Sequence, residues 1–414
     1  MRGTIVSTTI PDELTWPGSF PTRGHGLPPE MFDLLRRERP VAEVTFPSGH
    51  RAWLVTRRTD ITAIGSSRNF SRDLTCPGSQ RIAGDDFNSV PGGIFNLDPP
   101  EHTTVRRVVQ PFFSPAAAKA LQPAIALAAT DLAMALREGP NPADLHRAYA
   151  HPLAATLACD LMRVAPHLRR RIVPRLRSQV DYTTPAAKID TSTRWMLDFA
   201  SEVIDAKRAD YDDGREPRDP VEALIRAHHR GTITSEHLHA TVMYLFVTSA
   251  EPVTGPVTTG VYTLLRHGDQ LARILRDPGL WPTAVAELLR LHHNGMTSMP
   301  RLALADTELH GVRIRAGDAV VTPWVAATWD PEHYTQPERF RLDRSTREDP
   351  AITFGTGPHF CLGVNIARLY LQTALSTLFT LLPDLTLAAK HEDIAWEPDT
   401  YLFTRPTELP VTWS

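Results

Sequence analysis

The chain has 414 residues, 42% hydrophobic and 22% charged, a balance that supports a large buried core and excludes a mostly disordered polymer. Its 44 basic and 47 acidic residues leave a net charge of −3, which speaks against a general nucleic-acid binder with a basic surface. Cys76, Cys159 and Cys361 are too few for a disulfide scaffold and lie at no zinc-like spacing, so a reducing cytoplasm is the expected location.

The first residues, MRGTIVSTTIPDELTWPGSF, hold no unbroken apolar run of the kind a signal peptide or anchor requires, and no membrane attachment is expected. No Gly/Ser linker, charge block or repeat marks an internal boundary. One domain over 1–414, acting as a monomer, is the expectation.

In chain order, Arg51 to Thr56 reads as a strand between turn signals. The stretch from Thr75 to Pro100, with CPGS, VPGG and LDPP, reads as a long loop that walls or covers a pocket. Pro115 to Arg137 carries apolar residues at three- and four-residue spacing and predicts a helix. A longer helix should start at Thr234-Ser235, whose hydroxyls can cap its first turn, and end near Arg266-His267-Gly268. Pro252 and Pro256 fall inside it, although most of the 36 prolines must occupy helix boundaries and loops. Val312 to Ala316 and Ala319 to Thr322 read as short strands. The expected class is mainly α with small β-sheets, an α+β fold.

From Phe354 to Gly363 the chain runs Phe-Gly-Thr-Gly-Pro-His-Phe-Cys-Leu-Gly, a glycine-rich turn leading into an apolar helix. A cysteine at such a junction meets the free N–H groups of a helix start, which stabilise a thiolate and leave it available to a metal. A lone cysteine is otherwise most often core. Glu287-Leu-Leu-Arg290 sets a carboxylate and a guanidinium on one helical face, a pairing common on solvated helices. In Asp98-Pro-Pro-Glu-His102-Thr-Thr-Val-Arg106, His102 and Arg106 stand four apart and can serve two carboxylates.

Together these segments resemble the cytochrome P450 family. Residues 354–363 match its signature Phe-Gly-x-Gly-x-His-x-Cys-x-Gly at every specified position, and Glu287 to Arg290 resembles its ExxR motif. Pro337-Glu-Arg339-Phe340 resembles the segment whose arginine completes a structural Glu-Arg-Arg network with Glu287 and Arg290. The likeness extends from about Trp53 to the closing Glu408-Leu-Pro-Val411, departing in small ways at Trp329 and Tyr370.

The resemblance implies the cytochrome P450 fold, with haem b between a long distal helix and the helix after the Cys loop. Cys361 would be the axial ligand of the iron, a thiolate that pushes electron density toward it and favours O–O cleavage. His102, Arg106, Arg301 and His359 would bind the haem propionates. Phe354 would shield the sulfur side, Gly355 would permit the tight turn, and Gly363 would let the helix approach the porphyrin. Electrons would come from NAD(P)H through a separate ferredoxin and reductase, the ferredoxin docking on the Cys361 side against Arg106 or Arg107. Substrate contacts would fall on Tyr244, Val247, Thr248 and Glu251, on Asn294, Met296, Thr297 and Met299, and on Leu402 with its neighbours Tyr401 and Phe403, around a pocket for a medium-sized aromatic ligand.

One departure bears on chemistry. Thr248-Ser-Ala-Glu251-Pro252 lies where the family has Ala-Gly-x-acid-Thr, so Glu251 keeps the acid while Pro252 replaces the threonine whose hydroxyl helps deliver protons during oxygen activation. Proline lacks that hydroxyl and an N–H, and its ring should push the helix open at Thr248, with room for a water near Glu251. The expected activity is oxidation of an aromatic, nitrogen-rich natural product such as a cyclic dipeptide, by radical C–C or C–N coupling or by hydroxylation, in secondary metabolism. A peroxygenase is disfavoured because Glu251 would repel a substrate carboxylate. A catalytically silent, P450-like auxiliary protein is disfavoured by the retained Cys361. His292 and His293 point apart on a helix, so no metal site besides the haem iron is expected.

Overall fold

The longest helix, α9 in chain order, begins where Thr234 caps it: the Thr234 hydroxyl accepts from the His237 N–H (3.1 Å) while the His237 ring accepts from the Thr234 N–H (3.4 Å). It runs Ser235–Arg266, as the sequence predicts at both ends. In this computed structural model, residues 9–75, 79, 90–172, 184–292, 300–344, 348, 350–397 and 403–414 are described, without the side chains of residues 186, 251, 350 and 351.

Before α9 come α1 (Met31–Glu38), β1 (Val41–Thr45), β2 (Arg51–Val55), α2 (Arg58–Ser66), β3 (Phe70–Ser71), α3 (Glu101–Val109), α4 (Pro115–Glu138) and β4 (Ala143–Asp144). A π-helical turn at His146–Ala150 leads into α5 (His151–Leu161), followed by α6 (Pro166–Ile172), α7 (Ala186–Arg208) and α8 (Pro220–His229). After it come α10 (Gly268–Arg276), α11 (Trp281–Leu291), β5 (Arg301–Ala303), β6 (Thr307–Leu309), β7 (Val312–Ile314) and β8 (Ala319–Val321). The chain closes with α12 (Trp324–Thr328), α13 (Val364–Leu381), β9 (Thr386–Leu387) and β10 (Pro410–Thr412). Proline occupies the first turn of α4, α5, α8 and α11, where its missing N–H removes no helical bond.

The main sheet has the order β1-β2-β8-β5-β3, antiparallel except for the β2–β8 pair. β4, β10 and β9 form a second sheet and β6 with β7 a hairpin. The helices pack α13 along α4, and α9 against α5, α7, α11 and α13. Apolar side chains from Leu14 to Trp413 join in one buried cluster. No described helix is long and apolar enough to cross a membrane.

The helix containing Pro252 is not opened as expected: α9 continues through both Pro252 and Pro256. Pro252 still deprives the Thr248 carbonyl of its donor four residues on. Burial of Val253 and Val257 holds this stretch in place, while the hydroxyls of Thr254, Thr258 and Thr259 bond back to the carbonyls of Ala250, Thr254 and Gly255, contacts that satisfy the hydroxyls and favour a slight bend.

Candidate active site

A cavity of about 380 Å³ lies between α9 and the segment that carries Cys361 into α13. Val247, Thr248, Ser249 and Pro252 line it from α9, and Phe354, Gly355, Cys361 and Gly363 from the opposite side. Tight turning in that segment needs glycine: Gly355 and Gly357 have φ of 78° and 69°, and a Cβ on Gly357 would lie 2.3 Å from the Gly65 carbonyl oxygen. The backbone N–H of Cys361 donates to the Phe354 carbonyl (2.9 Å), fixing the loop beneath the cavity. Burial pushes the Cys361 thiol up, opposed by the Gly363 backbone N–H and by Arg106.

One end of the cavity collects basic side chains. His102, in the first turn of α3, is buried, and burial pushes its imidazole down to about 4. Its ring centroid lies 4.2 Å from that of His359, which burial also holds well down. Both leave Nε2 buried and without a hydrogen-bond partner. Arg301, at the start of β5, donates to the Phe70 carbonyl (3.3 Å) and is pushed down to about 10 by burial, with Asp98 opposing. Arg106 donates to the Phe360 carbonyl (2.8 Å). It lines the cavity, so it faces inward, and exposed Arg107 is the residue of the pair presented to solvent.

This arrangement fits a haem. Two orphaned imidazole nitrogens and two arginines gather at one end, where a dicarboxylate edge would lie, Cys361 lines the cavity, and a Cβ built on Gly363 meets nothing within 4 Å. Of the expected pocket residues, Tyr244, Val247 and Thr248 line the cavity. Asn294, Met296, Thr297, Met299 and Leu402 lie outside the described residues, as does the Glu251 side chain. Much of the Thr75 to Pro100 loop is likewise outside them; its described end contributes Ile94 and Phe95 to the wall. Sequence reasoning missed Arg72 and Trp324. Each sits outside any motif and reaches the cavity only through tertiary contacts.

The buried acid–base network also differs from expectation. Arg290 meets Glu287 through two hydrogen bonds of 2.7 and 2.8 Å with both side chains buried. Arg339 is not the third member: its side chain is 66% exposed, and only its carbonyl takes part, accepting from Arg290 and Arg344. Arg344 takes the place, its Nε lying 2.7 and 2.8 Å from the Glu287 oxygens. Trp329 and Tyr370 are buried and do not line the cavity; the Trp329 indole donates to the Leu291 carbonyl (3.1 Å). His292 bonds Thr263 (2.7 Å), and no described group of His, Cys, Asp or Glu could hold a separate metal ion.

Comparison with known proteins agrees with this geometry. The family model for cytochrome P450 matches residues 280–387. Pentalenic acid synthase of Streptomyces avermitilis is 32% identical, the alignment covering 99% of each chain. Biflaviolin synthase CYP158A1 of Streptomyces coelicolor is also 32% identical, over 99% of this chain and 98% of its own. The crystal structure of cytochrome P450mel 107F1, described as having biaryl coupling reactivity, superposes with a TM-score of 0.83 at 27% identity, covering 93% of this chain and 96% of that one. With near full-length identity of this order, a shared fold and a cavity fitted to a thiolate-bound haem, the chain belongs to the cytochrome P450 family of haem-thiolate monooxygenases.

Proposed function

We propose that this enzyme binds haem b through Cys361 and oxidises a small aromatic, nitrogen-containing natural product by radical coupling. The observation that carries this reading is Pro252 in the cavity wall, where the family places a proton-delivering threonine. Neighbouring Thr248 is a poor substitute donor, because its hydroxyl is already given to the Tyr244 carbonyl (2.7 Å). At the same identity one relative is a pentalenic acid synthase and another a biflaviolin synthase, so overall similarity does not select the reaction.

His102, His359, Arg106 and Arg301 would hold the propionates, whose charge supplies the partner that the orphaned imidazole nitrogens require. Phe354 would shield the sulfur side of the haem, and the Arg368 guanidinium carbon lies over its ring, 5.1 Å from the centroid. Bound haem supplies reductive activation of dioxygen beside the thiolate. The chain's own part is to keep water out of an apolar cavity walled by Phe95, Tyr244 and Phe403 and to hold the substrate's N–H or O–H groups over the iron. The balance closes without oxygen insertion: the substrate gives up two hydrogen atoms as the new C–C or C–N bond forms, NAD(P)H supplies two electrons and, together with solvent, two protons, and dioxygen leaves as two waters.

Those electrons would arrive through a separate ferredoxin and reductase, the chain acting as a single-domain monomer. Exposed Arg107 on α3 and exposed Arg368 on α13 offer the basic contacts for an acidic ferredoxin. Reduction by ferredoxin should slow about tenfold between 50 and 300 mM salt, as screening shortens the reach of these charges. A rate indifferent to salt counts against that docking face.

A second reading has one observation in its favour: Ser249 also lines the cavity, so a serine hydroxyl could carry protons for ordinary hydroxylation. Turnover of aromatic cyclic dipeptides under ¹⁸O-labelled dioxygen separates the two. Coupled product free of label is expected, whereas label in the product establishes hydroxylation.

A further inference from the structure

The loop that carries Cys361 is closed by its own backbone. The Cys361 N–H donates to the Phe354 carbonyl (2.9 Å), the Gly355 N–H to the Ile352 carbonyl (3.0 Å) and the Phe360 N–H to the Gly357 carbonyl (3.0 Å). A loop tied in this way moves as a unit, so the surface it sits on decides where the sulfur stands. That surface is the last turn of α2. A Cβ on Gly357 would overlap the Gly65 carbonyl oxygen and lie 2.8 Å from the Ser66 Cα, so only a glycine hydrogen fits between the two backbones. One residue back, the Thr356 hydroxyl donates to the Thr62 carbonyl at 3.5 Å.

Gly65 meets the loop from the α2 side of this contact. It is helical and has no positive φ, so its backbone conformation does not demand glycine, and helix propensity favours alanine. Space demands it instead: a Cβ on Gly65 would overlap the Thr356 hydroxyl and come within 3.0 Å of the Trp324 indole. Trp324 is itself wedged, its indole 3.5 Å from a Cβ built on Gly355. Trp324, Thr356 and Cys361 all line the cavity.

α2 is fixed at its other end. The Arg58 N–H donates to the Asp330 carboxylate (3.0 Å) and the Arg58 guanidinium to the Tyr334 hydroxyl (2.7 Å). Over the Tyr334 ring lie the guanidiniums of Arg290 and Arg344, 5.4 and 6.0 Å from its centroid, the two that hold Glu287. Ile61 and Ile64 are buried along the helix. Volume added at Gly65 is therefore passed to the loop, because α2 has no room to retreat.

We propose that Gly65 is a positioning residue for the thiolate: α2 is a strut between the buried Glu287 network and the Cys361 loop, and the absent side chain at Gly65 sets how closely that loop seats. The inference rests on haem bound through Cys361.

The test uses purified holoenzymes: wild type, Gly65→Ala, Thr356→Ala, the double variant, and Ile61→Val, which loosens the same helix without adding an atom toward the loop. The reduced carbon monoxide complex reads thiolate coordination, as the share of Soret intensity left at the unshifted position. Gly65→Ala should raise that share about tenfold over wild type, the scale of one overpacked methyl group. Ile61→Val should leave it at the wild-type level. Thr356→Ala opens space for the new Cβ, so the double variant should match Thr356→Ala and lie below Gly65→Ala. A wild-type spectrum in Gly65→Ala overturns the proposal. So does an equal shift in Ile61→Val, which marks general loosening, or a double variant as defective as Gly65→Ala. If Gly65→Ala yields no holoenzyme, the double variant decides: holoenzyme with the spectrum of Thr356→Ala supports the proposal, and no holoenzyme overturns it. A wild-type protein that takes up no haem defeats the cofactor reading itself, a result distinct from all of these.

Discussion

Pro252 sits in the cavity wall without an N–H to give the Thr248 carbonyl and without a hydroxyl to give a substrate or oxygen. Substituting Pro252→Thr restores both groups. The added helical bond should stabilise the protein by about 1–3 kcal/mol, read by denaturant unfolding, and oxygen insertion should rise at the expense of coupling. Unchanged product ratio and peroxide leakage would show that the proline has no part in the chemistry. Cys361 needs less argument. Its setting is local in sequence, and because alanine leaves no thiolate to bind the iron, Cys361→Ala should abolish the red-shifted Soret band of the reduced carbon monoxide complex while leaving a folded chain.

At the scale of elements, the decisive contact joins α11 to the segment after Phe340. Glu287 is buried between Arg290 and Arg344, and removing one partner from a buried charge network leaves an uncompensated charge. Arg344→Ala should therefore cost about 3–5 kcal/mol of holoenzyme stability in urea unfolding. Arg339→Ala, at an exposed side chain whose carbonyl survives the change, should cost under about 0.5 kcal/mol. Equal effects would contradict the assignment. The sequence motif pointed at Arg339 because it marks the right stretch of chain. Which arginine turns inward depends on how residues 335–344 fold over Glu287, where the Thr335 and Arg339 carbonyls also accept from Arg344.

For the whole molecule, His292 links stability to pH. It bonds Thr263 of α9, stacks on Trp396 (6.0 Å, 18°), and is pushed down to about 4 by burial. The folded protein therefore holds it neutral while the unfolded chain takes up a proton below about 6.5. Its contribution is complete above pH 6.5, declines as pH falls toward 4, and then levels off. His292→Gln should flatten the stability profile over that range by about 3 kcal/mol relative to wild type, as urea unfolding at each pH would measure. A parallel profile would mean that His292 titrates normally in the fold.

The sequence by itself determined the family, the ends of α9, the helix of α4 and the cysteine at the turn before α13, because each is written in neighbouring residues: a cap, an apolar period, glycines at fixed offsets. It also determined that His102 and Arg106 share one helical face. Only the tertiary structure decided that Arg344 and not Arg339 meets Glu287, that Arg106 turns inward while Arg107 stays exposed, that α9 runs on through its prolines, and that Arg72 lines the cavity. The physical reason is common to all four. A side chain's partner across tens or hundreds of residues is set by burial, charge and sheet register, and those exist only once the chain has folded.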